Sequence, residues 1–335
     1  MIKMDYGDKK HLDFLKEEYP RIFPDLSKRQ TKWASLRKRL VRKDIRFDTL
    51  LPKKYKEMLV LDFETLADIY EVYNGLEMSK TDPVHVDCKS LFSYDECDDS
   101  KGVKWKKLQP NIAGFFMDSK NGLEIHSCHY CDMAYVNPFN LSTGYRRKAQ
   151  FDLDHVLDKG RCPLVALSLF NLVPSCQMCN GSRIKGQRQI YADARLRKKL
   201  SPTNPNYDFE GKVNIELLNK KGECSTIGFE KRMDDYVLFF NTHLDPDYDE
   251  EVKAFYLTER YNYHKCEALR LLDLKERYTD ARIVELARMI LQSPKAKVTS
   301  HGMKYITQLK HDIFSTNFNH KYHRCFGKLH DDMLK

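Results

Sequence analysis

Cys128-His129-Tyr130-Cys131, then Phe151-Asp152-Leu153-Asp154-His155, then Asn171-Leu172-Val173-Pro174-Ser175-Cys176-Gln177-Met178-Cys179-Asn180, and finally Lys185-Gly186 form the stretch that decides how this chain reads. Cys128 and Cys131 make one C-x2-C pair, and Cys176 and Cys179 make another. Each spacing lets two sulfurs face one point from a tight turn. Four thiolates suit tetrahedral zinc, and a closed four-sulfur shell is a structural site with no open position for chemistry. The gap between the knuckles is longer than in a simple ribbon, so a folded piece must sit inside it. His126 and His129 flank the first knuckle, but four sulfurs already complete a shell. The bland alternative is two unrelated pairs of buried cysteines.

Between the knuckles lies the polar set. Leu153-Asp154-His155-Val156-Leu157 reads as a strand end carrying an acid next to an imidazole. Cutting a phosphodiester requires a base to take a proton from water and a cation to stabilise charge on the phosphate and the leaving oxygen. His155 suits the base. Asp154 is a hard oxygen donor suited to Mg2+ or Mn2+, and the Asn180 amide oxygen adds a second donor without charge. Asn171, at the start of the next strand, is placed to fix the loop and orient the imidazole. Asp152, two residues before Asp154 and on the same strand face, is either another cation ligand or a loop cap. A histidine at a strand end is, taken alone, usually a satisfied surface or core residue; the constellation is what gives His155 its reading.

This set resembles the HNH endonuclease family, whose core is a hairpin and one helix around a metal. The resemblance covers roughly 128–186 and rests on the order of its parts: first knuckle, Asp-His, central Asn, second knuckle, late Asn. It implies His155 as general base, Asp154 as the metal ligand beside it, Asn171 in the middle position and Asn180 in the last. The last position is His in many members and Asn in others, so this is the Asn form. Tyr130 and the Pro163-Leu164-Val165-Ala166-Leu167-Ser168-Leu169 run resemble a bacterial subgroup often found near mobile elements and phage-defence genes; that context, rather than the residues, suggests an effector of a phage-defence (antiviral) or mobile-element system.

The rest of the chain frames this module. Its 335 residues carry a net charge of +9, with 41% hydrophobic and 31% charged residues, enough for a substantial core in two or three units. No apolar run is long enough to span a bilayer, and Met1-Ile2-Lys3-Met4-Asp5 has no signal-peptide core. The expected location is the cytoplasm, where the ten cysteines are metal ligands or free thiols. Cys88, Cys97, Cys162, Cys224, Cys266 and Cys325 lack metal spacing.

Residues 1–110 read as a helical N-terminal region. Arg37, Lys38, Arg39, Arg42, Lys43 and Arg46 crowd one helix, with Trp33, Leu36, Leu40 and Ile45 interleaved. Such a face either contacts phosphates or is a solvated face anchored in the core. Leu59, Phe63, Leu66, Tyr70 and Tyr73 recur at helical spacing before Asn74-Gly75. The segment around them is acidic and should avoid a phosphate backbone; it is free to pair with the basic helix or to bind a partner. Asp95-Glu96-Cys97-Asp98-Asp99 reads as a solvated loop.

Residues 111–200 hold the nuclease module. Arg183, Lys185 and Arg146 are its expected nucleic-acid contacts, together with Arg37 and Arg42 from the basic helix. Ser201-Pro202-Thr203-Asn204-Pro205-Asn206 reads as a linker. Residues 201–335 then read as mostly helical with one small hairpin, 212–218 turning into 225–229. Two helices follow between Thr258 and Leu291, the second capped by Thr279.

The expected architecture is therefore α+β: a ββα-metal HNH core with structural zinc, flanked by mainly helical N- and C-terminal regions. The expected function is divalent-metal-dependent hydrolysis of DNA phosphodiesters, with Zn2+ structural and Mg2+ or Mn2+ catalytic. Expected partners are DNA and, given the large flanks, an ATPase or sensor protein or a second copy of the chain. The competing class is a zinc-stabilised nucleic-acid-binding or scaffold module without turnover.

Overall fold

The structure is a computed structural model; it describes residues 1–94, 108–140, 147–186, 188–220, 233–292, 300–314 and 325–334. It is mixed, with many helices and small antiparallel sheets. The chain divides into two compact units, Met1–Phe209 and Glu210–Lys335. The helical N-terminal region and the knuckle-bearing segment belong to the first unit together.

Short capping signals start the helices of the first unit. Asp8 accepts from the His11 amide at the head of α1 (Lys9–Glu18). Asp62 does the same for Thr65 at α5 (Phe63–Gly75), and Asp82 for Val84 at α6 (Pro83–Leu91), where Pro83 occupies the first turn. Between them lie α2 (Leu26–Lys43), α3 (Arg46–Leu50) and α4 (Tyr55–Met58); α7 (Leu108–Met117) follows. The buried face of α2 is Trp33, Leu36 and Leu40, as its spacing predicts, whereas Ile45 lies beyond the helix and is exposed. The α5 stripe is buried through Phe63, Leu66, Tyr70 and Tyr73; Leu59 precedes the helix but is also buried.

Much of the basic face of α2 is held by acids rather than left open. Arg37 meets Asp48 at 2.8 Å and donates to the Leu51 and Asp48 carbonyls. Arg39 pairs with Asp87, and Lys43 reaches Asp82 at 2.9 Å. The basic helix and the acidic segment thus neutralise each other where α2 packs on α6.

After two short strands, β1 (Phe139–Asn140) and β2 (Arg147–Lys148), comes the central hairpin. Its strands β3 (Asp152–His155) and β4 (Leu172–Ser175) are antiparallel, with Asp152 opposite Ser175 and His155 opposite Leu172. A single turn of helix, α8 (Gln177–Asn180), follows directly, and α9 (Ala194–Lys199) is capped by Asp193. The hairpin is moored to the helices at several points: the Leu169 amide donates to the Leu59 carbonyl, and the Tyr19 hydroxyl to the Leu167 carbonyl.

The expected linker at 201–206 is instead packed inside the first unit. Ser201, Thr203 and Asn204 are buried, and the Met4 amide donates to the Pro202 carbonyl. Their side chains bond locally: Ser201 with Thr203, Asn204 to the Lys198 carbonyl. Turn-forming polar residues that satisfy their own backbone need no water, so a linker-like composition folds inward.

The second unit begins with α10 (Phe209–Lys212), most of which it contains, and carries the expected hairpin in altered form. Strand β5 (Asn214–Asn219) pairs with β6 (Tyr236–Asn241); the expected second strand, 225–229, lies outside the described residues. Three helices, α12 (Leu257–Tyr263), α13 (Cys266–Arg277) and α14 (Asp280–Ile290), occupy the span where two were expected; α11 (Tyr248–Ala254) precedes them. Thr279 caps α14 by accepting from the Arg282 amide. The unit ends with α15 (Ser300–Phe314) and α16 (Gly327–Leu334), and α16 packs on both β5 and α13. No described helix is long and apolar enough to cross a membrane.

Candidate metal centre and hairpin site

The first knuckle is a tight turn. Cys131 and Asp132 amides both donate to the Cys128 carbonyl, and Asp132 takes a left-handed backbone at φ 54°. Ser127 donates to the Asp132 carboxylate at 2.5 Å and closes the turn. The second knuckle opens α8, where Cys176 takes the N-cap position. Gly181 ends that turn because a Cβ there would lie 2.5 Å from the Gln177 carbonyl oxygen. The Cys176 amide points at Cys128 Sγ, 3.3 Å away, so the two knuckles are sewn together through sulfur.

All four sulfurs lie within 4.8 Å of one another, and no cysteine among them is more than 9% exposed. Tetrahedral zinc with Zn–S bonds of about 2.3 Å sets its sulfurs about 3.8 Å apart. Cys131 and Cys176 are separated by 4.0 Å, so this cage fits a structural zinc ion. His129 does not join it. Its ring donates from Nδ1 to the Ile2 carbonyl at 2.9 Å, and burial pushes its pKa down to about 4. The Ile2 amide donates back to the His129 carbonyl, so the N-terminal segment straps the knuckle.

The polar hairpin residues separate into two environments. Strand alternation sends Asp152 and Asp154 to one face and His155 to the other. Asp154 is buried, and each of its oxygens is engaged: Tyr130 donates to Oδ2 and the Lys185 ammonium to Oδ1, both at 2.6 Å. Burial pushes the carboxyl above its ordinary range, against the pull of Lys185 and of both hydrogen bonds. Lys185 also donates to the His155 carbonyl at 2.5 Å.

His155 is 9% exposed. Its Nε2 lies 3.0 Å from the Ala166 carbonyl and 2.8 Å from the Tyr94 hydroxyl. A carbonyl oxygen only accepts, so Nε2 carries the hydrogen and Nδ1 keeps the lone pair. Burial holds the imidazole pKa down at about 3, with the charges of Lys159 and Lys185 adding to the effect. The ring is neutral at ordinary pH.

Asn171 is fully buried and laces the loop between the strands. Its Oδ1 accepts from the Leu157 amide at 2.7 Å, and its Nδ2 donates to the Leu157 and Val165 carbonyls at 3.0 Å each. Val165 adjoins Ala166, so the amide that ties the loop also sets the carbonyl facing His155. Asn180, at the end of α8, donates to Asp152 Oδ2 at 3.3 Å.

Several expectations change on this geometry. Asn180 meets Asp152 rather than Asp154. Lys185, expected at the nucleic acid, is 7% exposed and spent on Asp154. Arg37 is likewise spent on Asp48, while Arg42 and Arg183 are exposed. Arg146 lies outside the described residues, as do the 95–99 acidic run, Cys97 and Cys224. Tyr94 was invisible to sequence reading because nothing near it in the chain hints at a partner sixty-one positions away.

No family model, curated protein or solved structure matches this chain.

Proposed function

We propose that the first unit is an HNH-type endonuclease that hydrolyses DNA phosphodiesters. The observation that supports this reading best is the Asn171 clamp. One buried side chain makes three hydrogen bonds that hold the loop after His155 and the neighbour of its carbonyl partner. The four-sulfur cage at the base of the same hairpin supplies rigidity.

In the proposed reaction His155 takes a proton from water at Nδ1. The resulting hydroxide attacks phosphorus, and the bond to the 3′ oxygen breaks, leaving a 5′ phosphate and a 3′ alkoxide that takes a proton from solvent water. The neutral ring is the form this step needs. An anionic phosphodiester beside it, with Lys159 turned to that phosphate, offsets the forces that now suppress its basicity. Asp152 and Asn180, half-buried and in contact with each other, are the side chains that would hold Mg2+ or Mn2+, ions that commonly accept one or two protein ligands and keep several waters. When bound, such an ion supplies charge stabilisation at the phosphate and the leaving oxygen. Asp154 holds Lys185 and Tyr130 and so fixes the segment after α8 against the hairpin.

One observation favours a second reading. His155 is covered, and Asp154 is engaged on both oxygens, as in a zinc-stabilised module that grips nucleic acid without cutting. A plasmid-nicking assay with Mg2+ or Mn2+, against EDTA, separates the two. Wild type is expected to nick and His155→Ala to be inert with its zinc retained. Nicking by His155→Ala at the wild-type rate rejects the mechanism. Binding without cutting, alone and with candidate ATPase or sensor partners, selects the scaffold reading. Arms with tRNA and single-stranded DNA test the choice of DNA.

A further inference from the structure

Tyr94 closes over His155 from a different part of the first unit. Its hydroxyl lies 2.8 Å from His155 Nε2 and 3.2 Å from the Ala166 carbonyl, the same oxygen that lies 3.0 Å from Nε2. The three polar groups form a closed triangle. Only one hydrogen arrangement satisfies it. Ala166 can only accept, so the Tyr94 O–H points at Ala166 and the His155 Nε2–H is shared between the carbonyl and the phenol oxygen. The opposite tautomer would set a bare Nε2 lone pair against the carbonyl.

The phenol ring adds a geometric restraint. It meets the imidazole edge to face, centroids 5.6 Å apart at 74°. Tyr94 itself is pinned twice. The Leu108 amide donates to its carbonyl at 3.0 Å, and the Lys159 ammonium lies 4.6 Å from its ring centroid. A phenol held from outside the hairpin steadies the imidazole against the Ala166 carbonyl.

We propose that Tyr94 is a positioning residue for His155: its hydroxyl and ring fix the orientation of the imidazole, whose Nε2–H form the Ala166 carbonyl sets, so that Nδ1 faces the reacting water. The role of Nδ1 rests on the endonuclease reading; the tautomer and the ring position do not.

The test uses the full-length protein with 15N-labelled histidine and two variants, Tyr94→Phe and Tyr94→Ala. Long-range proton–nitrogen correlation spectra, assigned with His155→Gln, report which ring nitrogen bears the hydrogen. Wild type is expected to show a single Nε2–H form. Tyr94→Phe keeps the ring contact and removes only the hydroxyl; it is expected to keep the Nε2–H form, because the Ala166 carbonyl remains, but to shift and broaden the His155 signals as the ring loses its second acceptor. Loss of one such hydrogen bond corresponds to about a fivefold drop in kcat for plasmid nicking, with KM unchanged. Tyr94→Ala, which also frees the ring, is expected to lose more. An Nδ1–H form in wild type overturns the proposal, as does a Tyr94→Phe spectrum identical to wild type. Altered spectra with unchanged kcat overturn it too, because positioning would then not matter to the reaction. If wild type fails to nick at all, the endonuclease reading falls and the nitrogen spectra alone decide the role of Tyr94.

Discussion

The Lys185 ammonium lies 2.6 Å from Asp154 Oδ1, with the two side chains only 8% and 5% exposed. This ion pair ties the segment after α8 to the first strand of the hairpin. A buried pair adds little over an apolar pair of similar size, but breaking it strands a charge. Lys185→Met is therefore expected to cost about 3–5 kcal/mol. The double variant Lys185→Met with Asp154→Leu should recover much of that loss. Chemical denaturation followed by tryptophan fluorescence measures it, because Trp33 is fully buried in the first unit. A single variant as stable as wild type would show that the pair carries no structural weight.

The sulfur cage predicts about one zinc ion bound by the four cysteines and by none of the other described ones. Cys176→Ser should lose the metal and the solubility of the first unit. Cys162→Ser should keep it, since Cys162 is a buried thiol outside the cage. Elemental analysis of purified protein decides this. A soluble Cys176→Ser protein with wild-type activity and no zinc would remove the structural role assigned to the cage.

The cage was legible in the sequence because a C-x2-C pair is a local geometry: two sulfurs and one turn, whatever surrounds them. Thr279 at the head of α14 and the buried stripe of α5 were legible for the same reason, since caps and helical periodicity act within a few residues. The role of Asn171 as a loop fastener also followed from its place between the strands. What failed was partner choice. A sequence shows that Lys185 is basic, not that its ammonium turns inward to a carboxylate thirty-one positions earlier. Arg37 is ambiguous in the same way, because its pairing with Asp48 depends on the packing of α2 against α3. The adjacency of Asp154 and His155 suggested a shared site, yet strand pleating turns neighbours to opposite faces. Asp152 and Asn180 met instead, which takes the turn of α8 to arrange.

Asn171 offers a sharper test of the hairpin. Truncating it to Ala leaves the Leu157 amide and the Leu157 and Val165 carbonyls without their buried partner. Each such group costs energy when it cannot find water, so the expected loss is on the order of 3 kcal/mol. Nicking should fall far more than stability at temperatures where the variant is still folded, since the Ala166 carbonyl loses its support. Asn171→Asp keeps the acceptor and forfeits both donors. It should be no better than Ala, because the retained Leu157 bond is outweighed by a carboxylate facing two carbonyl oxygens. Full activity in either variant would detach the clamp from the chemistry.

The division of arginines into exposed and engaged gives a prediction about substrate grip. Phosphate contacts release counterions, so each one adds close to one unit to the slope of log affinity against log salt. Arg183 and Arg42 are exposed, and Arg183 stands two residues from the lysine that anchors the hairpin. Arg183→Ala should weaken DNA binding uniformly across sequences and flatten the salt slope by about 1. Arg42→Ala should do the same if the outer face of α2 lies along the duplex. Arg37→Ala should leave the slope alone and lower stability instead, because its guanidinium bonds Asp48 and the Leu51 carbonyl. Fluorescence anisotropy with a labelled duplex over a salt series measures all three. An Arg37→Ala slope that drops as far as that of Arg183→Ala would mean that the guanidinium leaves Asp48 for the backbone when DNA binds.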